Sequence, residues 1–451
     1  MVRQSEADRH TCLTEMPLRS QVTLHDHHQG DETMNDIAAL TLSTAERDRR
    51  WDLTRAFMAR EGLDALLVFG EHEDAGPAQV AYDTWFTNER PGTTVVFPRG
   101  GEPIVHLPGG MFILDHLESS RRGDESWIPP RNLRASRTST GITDTIAELG
   151  LSRGNIGVVG LGAHLPWHPE GVLPHTLWSR VLEKLPGVEF REMDVAVALM
   201  TMRLSDEEIP LVRRSAEIGD AMVQAMVDTA GPGVSEAEVY AAGMAEGFRR
   251  GTLPAAMHLW SGRDPVASGI PAWCYRAQAP RALADGDVIY AEVFSQFGGR
   301  HTQHQVTIAI GDVHQDFWRA GDVAQQSYHA GLATLRPGRT FGDVVEAMHA
   351  PLDAHDGQMY LIAAHSINAL LAAGKNRADI SLLPGAEAYP PVHAHPTFMA
   401  DLVLEPGMCF ILEPQYAFGR HLAHVGGTVI VTEDEPIALS PLTSEVLRAR
   451  R

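Results

Sequence analysis

The sequence predicts two α/β domains in succession, the second built from two halves that repeat one another. Three observations lead there. The 451 residues exceed what one ordinary hydrophobic core organises, so two domains are expected. Helix-like and strand-like stretches alternate over residues 45–200, the pattern of a layered α/β domain. Beyond them, Gly286-Asp287-Val288-Ile289-Tyr290-Ala291-Glu292 and Gly407-Met408-Cys409-Phe410-Ile411-Leu412-Glu413 share one design. A turn glycine precedes five mostly apolar residues, and a carboxylate follows six positions on. Each is preceded by a Pro-Gly turn opening a helix: Pro232-Gly233, with Val239 six residues beyond its glycine, and Pro337-Gly338, with Val344 at the same offset. A repeat of roughly a hundred residues with one carboxylate per copy predicts a pseudo-twofold domain whose chemistry lies at the seam.

Residues 1–40 are polar, rich in histidine (His25, His27, His28) and without period, and read as a disordered or mobile arm. The first domain is expected over 41–202. Thr44 to Arg47 opens a helix that Gly62 ends, and Leu63 to Phe69 follows as a buried strand. Thr93–Phe97 and Ile104–Leu107 flank a turn and read as a hairpin. Ile156–Leu161 is another strand, and Leu177–Leu185 a helical stretch. The second domain is expected over 203–451. Ser205 with Glu208 has capping-box spacing, as has Ser235 with Glu238. Between them Ile209, Val212, Ala216, Gly219, Val223 and Met226 recur at helical spacing. The second repeat is longer: 69 positions separate Gly338 from Gly407, against 53 from Gly233 to Gly286. The extra length is assigned to a loop around Leu371–Pro396 carrying His393 and His395, read as solvent-exposed with a lid role open.

Composition narrows the function. With 44% hydrophobic and 21% charged residues the chain reads as soluble and globular. A formal charge of −21 argues against nucleic acid or an anionic membrane as partner. No apolar run approaches the ~18 residues a bilayer span needs, and the first residues form no secretory signal, so a cytoplasmic location is expected. Cys12, Cys274 and Cys409 lie far apart without a CxxC, which indicates neither a disulfide framework nor a zinc knuckle.

Four stretches carry a family resemblance: Met202 to Ile209, Gly286 to Gly311, His365-Ser366, and Glu405 through Pro414. Residues 203–451 resemble the pita-bread domain of methionine aminopeptidase, prolidase, aminopeptidase P and creatinase, and the preceding domain resembles the smaller one of prolidases and creatinase. The metallopeptidases among them bind two divalent ions through two Asp, one His and two Glu, which generates hydroxide at neutral pH. Carried over one at a time, those ligands fall on Glu292, Gln303, His365, Glu413 and Gly426. An amide and a glycine stand where two carboxylates are needed, so a dinuclear site is not expected. The site character is closer to creatinase, which cleaves a C–N bond of a guanidino acid without metal. His365-Ser366 and Glu413-Pro414 are similar to that enzyme's own pairs, while its catalytic histidine is matched by counting to Tyr275 or Arg276. Relatives with the smaller domain are commonly homodimers, and the resemblance implies one here.

The expected function is therefore a metal-independent, creatinase-like hydrolase of a small polar molecule. His365 serves as acid/base, with Glu292 and Glu413 orienting or ionising against the substrate. Gln303 and His301 share one face of a strand and add hydrogen bonds, with His304 on the other face. Tyr275 and Arg276 are candidate binding residues, Arg276 suiting an acid group. No cofactor is expected. In the alternative, Glu292, His365 and Glu413 hold one divalent ion such as Fe, Mn or Zn in a hydrolase, lyase or Xaa-Pro peptidase. In a further alternative the scaffold binds without catalysing.

Overall fold

The protein is described here by a computed structural model over residues 40–71, 81–162, 171–359, 361–376, 383–389 and 394–450. The histidines of the expected N-terminal arm, and His393 of the inserted loop, lie outside them. Helix α1 (Thr44–Glu61) starts where expected. The Ser43 side chain accepts from the Glu46 amide, and Gly62, at φ 69°, adopts the left-handed turn that ends it. The remaining elements of the first sheet follow as β1 (Ala65–Phe69), α2 (Tyr82–Thr87), β2 (Thr94–Pro98), β3 (Ile104–His106), α3 (Gly110–Arg122), β4 (Leu133–Arg134), α4 (Ser139–Glu148), β5 (Asn155–Val159), α5 (His175–Lys184) and β6 (Glu189–Glu192). They form a six-stranded sheet in the order β4-β3-β2-β1-β5-β6, in which β2 and β3 are the antiparallel pair the sequence indicated. Every residue of β1 is buried, as expected of an apolar strand without alternation.

After α6 (Asp194–Thr201) come α7 (Glu208–Thr229), α8 (Glu236–Arg249), β7 (His258–Gly262), β8 (Val288–Phe297) and β9 (Arg300–Ala309). The second half repeats the order with α9 (Gln315–Thr334), α10 (Phe341–Asp353), β10 (Ala364–Ser366), β11 (Cys409–Leu412), β12 (Gln415–Phe418), β13 (His421–His424) and β14 (Gly427–Ile430). Short strands β15 (Ile437–Ala438) and β16 (Leu447–Arg448) finish the chain. The larger sheet runs β10-β11-β14-β9-β8-β7, so the two glutamate-bearing strands stand second from opposite edges and meet across β14 and β9. This is the pseudo-twofold α/β domain the repeat predicted. The helical stripe of α7 packs Ile218, Met222, Val223 and Met226 against Ile289, Ala291, Val306 and Ile308 of β8 and β9. The Ser235–Glu238 capping box forms, with the Ser235 amide donating to Glu238 at 2.9 Å, whereas Ser205, whose amide donates to Glu208 at 2.8 Å, stands two residues ahead of the cap residue Glu207.

Glu292 does not end its strand, because β8 continues five residues further to Phe297. Glu413 does follow directly on β11.

Candidate active site

The register of the larger sheet brings the polar residues together. On β8, Glu292 is flanked by His258 of β7 on one side and Gln305 of β9 on the other. The first neighbour closes a contact of 2.9 Å between His258 Nδ1 and Glu292 Oε2. The second reaches across the seam, where Gln305 Nε2 donates to Glu413 Oε2 at 3.0 Å. Glu413 itself is fixed by its backbone, with its amide donating to the Ala363 carbonyl at 2.8 Å. His424, at the end of β13, donates from Nε2 to the Glu413 carbonyl at 3.1 Å and stacks on Tyr290. Its Nδ1 is therefore the lone-pair nitrogen, and that atom is buried without a partner among the described residues. His365, in β10, donates from Nδ1 to the Ser366 carbonyl at 2.9 Å, which leaves Nε2 facing Gln303 Oε1 at 3.3 Å and Glu413 Oε1 at 3.8 Å.

The electrostatics divide the two glutamates. Burial, and then the neighbouring charge of Glu292, push the Glu413 carboxyl well above the usual carboxylate range. Burial, the largest single influence, would raise Glu292 too, but the His258 hydrogen bond together with the charge interactions of His258, His424 and His365 holds Glu292 below its ordinary value. The two carboxyls are thus pushed in opposite directions, with donor atoms within 4.8 Å of each other. Burial also depresses His301 and His424, each to about 4, and lowers His365, so all three are neutral imidazoles near pH 7.

A cavity of about 460 Å³ opens onto this cluster. Glu292, Glu413, His365, Gln303 and His301 all line it, so five of the seven predicted residues share one site. His304 points to the other face of β9, as alternation required, and its Nε2 meets Ser440 at 2.9 Å. His395 lines the cavity half-buried. Tyr82 and Trp85 of α2 add an aromatic wall from the first sheet's domain.

Two of the predicted residues lie elsewhere. Tyr275 is 71% exposed and Arg276 is exposed beside it, and neither lines the cavity. Counting missed because residues 263–287 form a long irregular connection between β7 and β8, and the histidine that meets Glu292 lies before it, at His258. The alternative metal set is also shifted. The residues whose donors converge are Glu292, Glu413 and His424 rather than Glu292, His365 and Glu413. The glycine at the fifth ligand position has a structural cause. At φ 116°, a Cβ on Gly426 would fall 2.0 Å from the Leu412 carbonyl oxygen, so backbone contact dictates glycine there.

These residues fit one divalent ion and not two. His424 supplies an unpartnered nitrogen beside two carboxylates. Gln303 offers an amide, and Gly426 offers nothing, where a second ion would need charge.

Metallopeptidase family M24 matches residues 210–433. Creatinase from a Bacillus species is 24% identical over 396 residues, 86% of this chain and 87% of that protein. Probable dipeptidase PepE of Mycobacterium tuberculosis is 26% identical, covering 79% of this chain and 85% of that one. The chain belongs to the creatinase, prolidase and aminopeptidase P family. Among solved structures, the X-Pro aminopeptidase of Thermotoga maritima superposes with a TM-score of 0.66 over 88% of this chain and 99% of that one. At 14% identity that likeness speaks for the fold, an N-terminal domain followed by the family's pita-bread domain. The matches support a hydrolase of this M24 family, related both to creatinase and to the dipeptidases. Among the described residues, no helix is long and apolar enough to cross a membrane.

Proposed function

We propose that this family member hydrolyses a C–N bond of a small polar molecule by proton transfer between its own side chains. The observation that carries the proposal is the unequal carboxyl pair of one cavity: Glu292 is in contact with His258 and lowered, and Glu413 is buried without a cation and raised. Groups so divided serve as base and acid of one reaction. The Glu292–His258 pair accepts a proton from water as its oxygen attacks the carbon. Glu413 gives its proton to the departing nitrogen as the C–N bond breaks, and regains one from the base side when product leaves. Gln305 holds Glu413 in place. His365, oriented by Ser366, presents a lone pair to the Glu413 side and relays that proton. Gln303 and His301 hydrogen-bond the substrate. By the family resemblance the working unit is a homodimer.

A second reading, metal-dependent and nearer the dipeptidase relatives, has specific support in the unpartnered Nδ1 of His424. Glu292, Glu413 and His424 would hold a single divalent ion, which supplies Lewis-acid polarisation and a more acidic bound water.

The test is turnover against a panel of small amides, ureas, guanidines and dipeptides, with elemental analysis of chelator-free protein. His258→Ala and Glu413→Gln are expected to fold and to lose turnover by about 100-fold or more. Full turnover in both variants excludes the proton-transfer reading. Stoichiometric metal, with activity lost on chelation and restored by that metal, decides for the second.

A further inference from the structure

Away from the cavity, a second group of metal-type ligands gathers near the surface. His314, Asp316 and His421 each place a donor atom within 4.8 Å of the others. None of the three lines the cavity. His421 opens β13 and His424 ends it, three positions on, so their side chains project to opposite faces of the strand. Whatever Glu292, Glu413 and His424 hold, this group is separate from it.

Aromatic packing and one ion pair fix the arrangement. The His314 and His421 rings stack 4.0 Å apart and 9° from parallel, and buried Phe317 meets His421 edge-on at 5.0 Å. Arg319 binds Asp316 Oδ1 at 2.6 Å and lies over the Phe418 ring, which orients the carboxylate and turns Oδ2 to the histidines. The Nδ1 atoms of His314 and His421 stand 3.6 and 3.9 Å from that oxygen. Both separations are too long for a hydrogen bond. They suit ligands of one ion: two atoms bound tetrahedrally at about 2.1 Å lie roughly 3.4 Å apart, so a shift of about half an ångström closes the shell. The other contacts of the two nitrogens are weak. His314 Nδ1 accepts from the Asp316 amide at 3.3 Å as the helix cap, and His421 Nδ1 stands 3.3 Å from the Phe418 carbonyl. His314 is half exposed, which gives an ion a way in.

We propose that His314, Asp316 and His421 form a site for one divalent transition-metal ion of the zinc type, which clips the β12–β13 hairpin to the start of α9. Two imidazoles and one carboxylate select such an ion over magnesium or calcium, which take oxygen ligands. The site stands independently of the reaction carried out in the cavity.

Zinc chloride titrated into the full chain after chelator treatment tests it, by calorimetry for binding and by thermal unfolding for the clip. The native chain should bind zinc with a rise in Tm, since an ion held only by the folded state stabilises it, and magnesium should give no rise. His314→Ala and His421→Ala change accessible side chains, and each should weaken this binding by about 10-fold or more. Glu413→Gln, in the cavity, should retain it, as should replacement of His25, His27 and His28 by alanine. Asp316→Asn keeps the side-chain shape and removes the charge, and it gives the same reading should a histidine variant fail to fold. No zinc response in the native chain overturns the site, as does a response that the histidine variants and Asp316→Asn keep in full. A response lost in Glu413→Gln and kept in His421→Ala places the ion in the cavity and overturns it too.

Discussion

Glu292 and Glu413 were legible as a pair because the sequence repeats the strand that presents each of them. The partners that split their protonation were not. His258 sits 34 residues before Glu292, and only the antiparallel register of β7 with β8 makes them neighbours. His424 stands two residues before Gly426, in plain sight of the matched position, but nothing in its spacing says that its Nδ1 turns toward two carboxylates. The split has consequences for pH. Activity should rise as Glu292 ionises, at a pH below the ordinary carboxylate value, and fall as Glu413 loses its proton, at a pH above it. A pH–rate profile whose alkaline limb disappears in Glu413→Gln checks this. Stability carries the same signature. Because the native state keeps a proton that the unfolded chain releases above about pH 4, Glu413 costs stability as pH rises from its unfolded toward its raised folded pKa. Glu413→Gln should therefore raise Tm at neutral pH, with the gain shrinking toward pH 4, as thermal unfolding across pH would reveal.

Among the elements, caps, helices and buried strands were readable because each rests on local chemistry. Ser43, Gly62 and the Ser235–Glu238 box act within a few residues of themselves. Close approach between elements was not readable. Gly219 fell within the apolar stripe of α7 as an ordinary small residue, yet a Cβ there would lie 2.0 Å from His304 Cε1 and 2.7 Å from Ser295 Oγ of the sheet below. Gly219→Ala should lower stability by about 1–3 kcal/mol through overpacking, measured by urea unfolding. Gly426 is the same lesson at the seam: the sequence records a missing ligand, while the structure records a backbone that admits no side chain.

For the molecule as a whole, the order of two α/β domains and the pseudo-twofold of the second were legible from length and repeat. The cavity's dependence on both was not, because Tyr82 and Trp85 carry no motif and reach the site only through folding of the first sheet's domain. Beside a shared apolar cluster, the joint includes a buried ion network. Arg50 and Glu208 are fully buried, and Arg300 nearly so, and together they tie α1 to α7 and β9. Glu208→Ala strands two buried guanidinium groups and should cost about 3–5 kcal/mol, read from chemical denaturation. The proposed homodimer is checked by light scattering, with roughly twice the 49.2 kDa of one chain expected and a stable monomer at micromolar concentration contradicting it.

One proton, on Glu413, decides the acid/base assignment, and it can be observed without knowing the substrate. Infrared difference spectroscopy of the native protein against Glu413→Gln at neutral pH separates a carboxylic acid from a carboxylate. The carbonyl band of a protonated Glu413 is expected in the native protein and lost in the variant, while Glu292→Gln removes a carboxylate band. A carboxylate signal lost from both variants would show two ionised glutamates side by side and contradict the acid/base assignment.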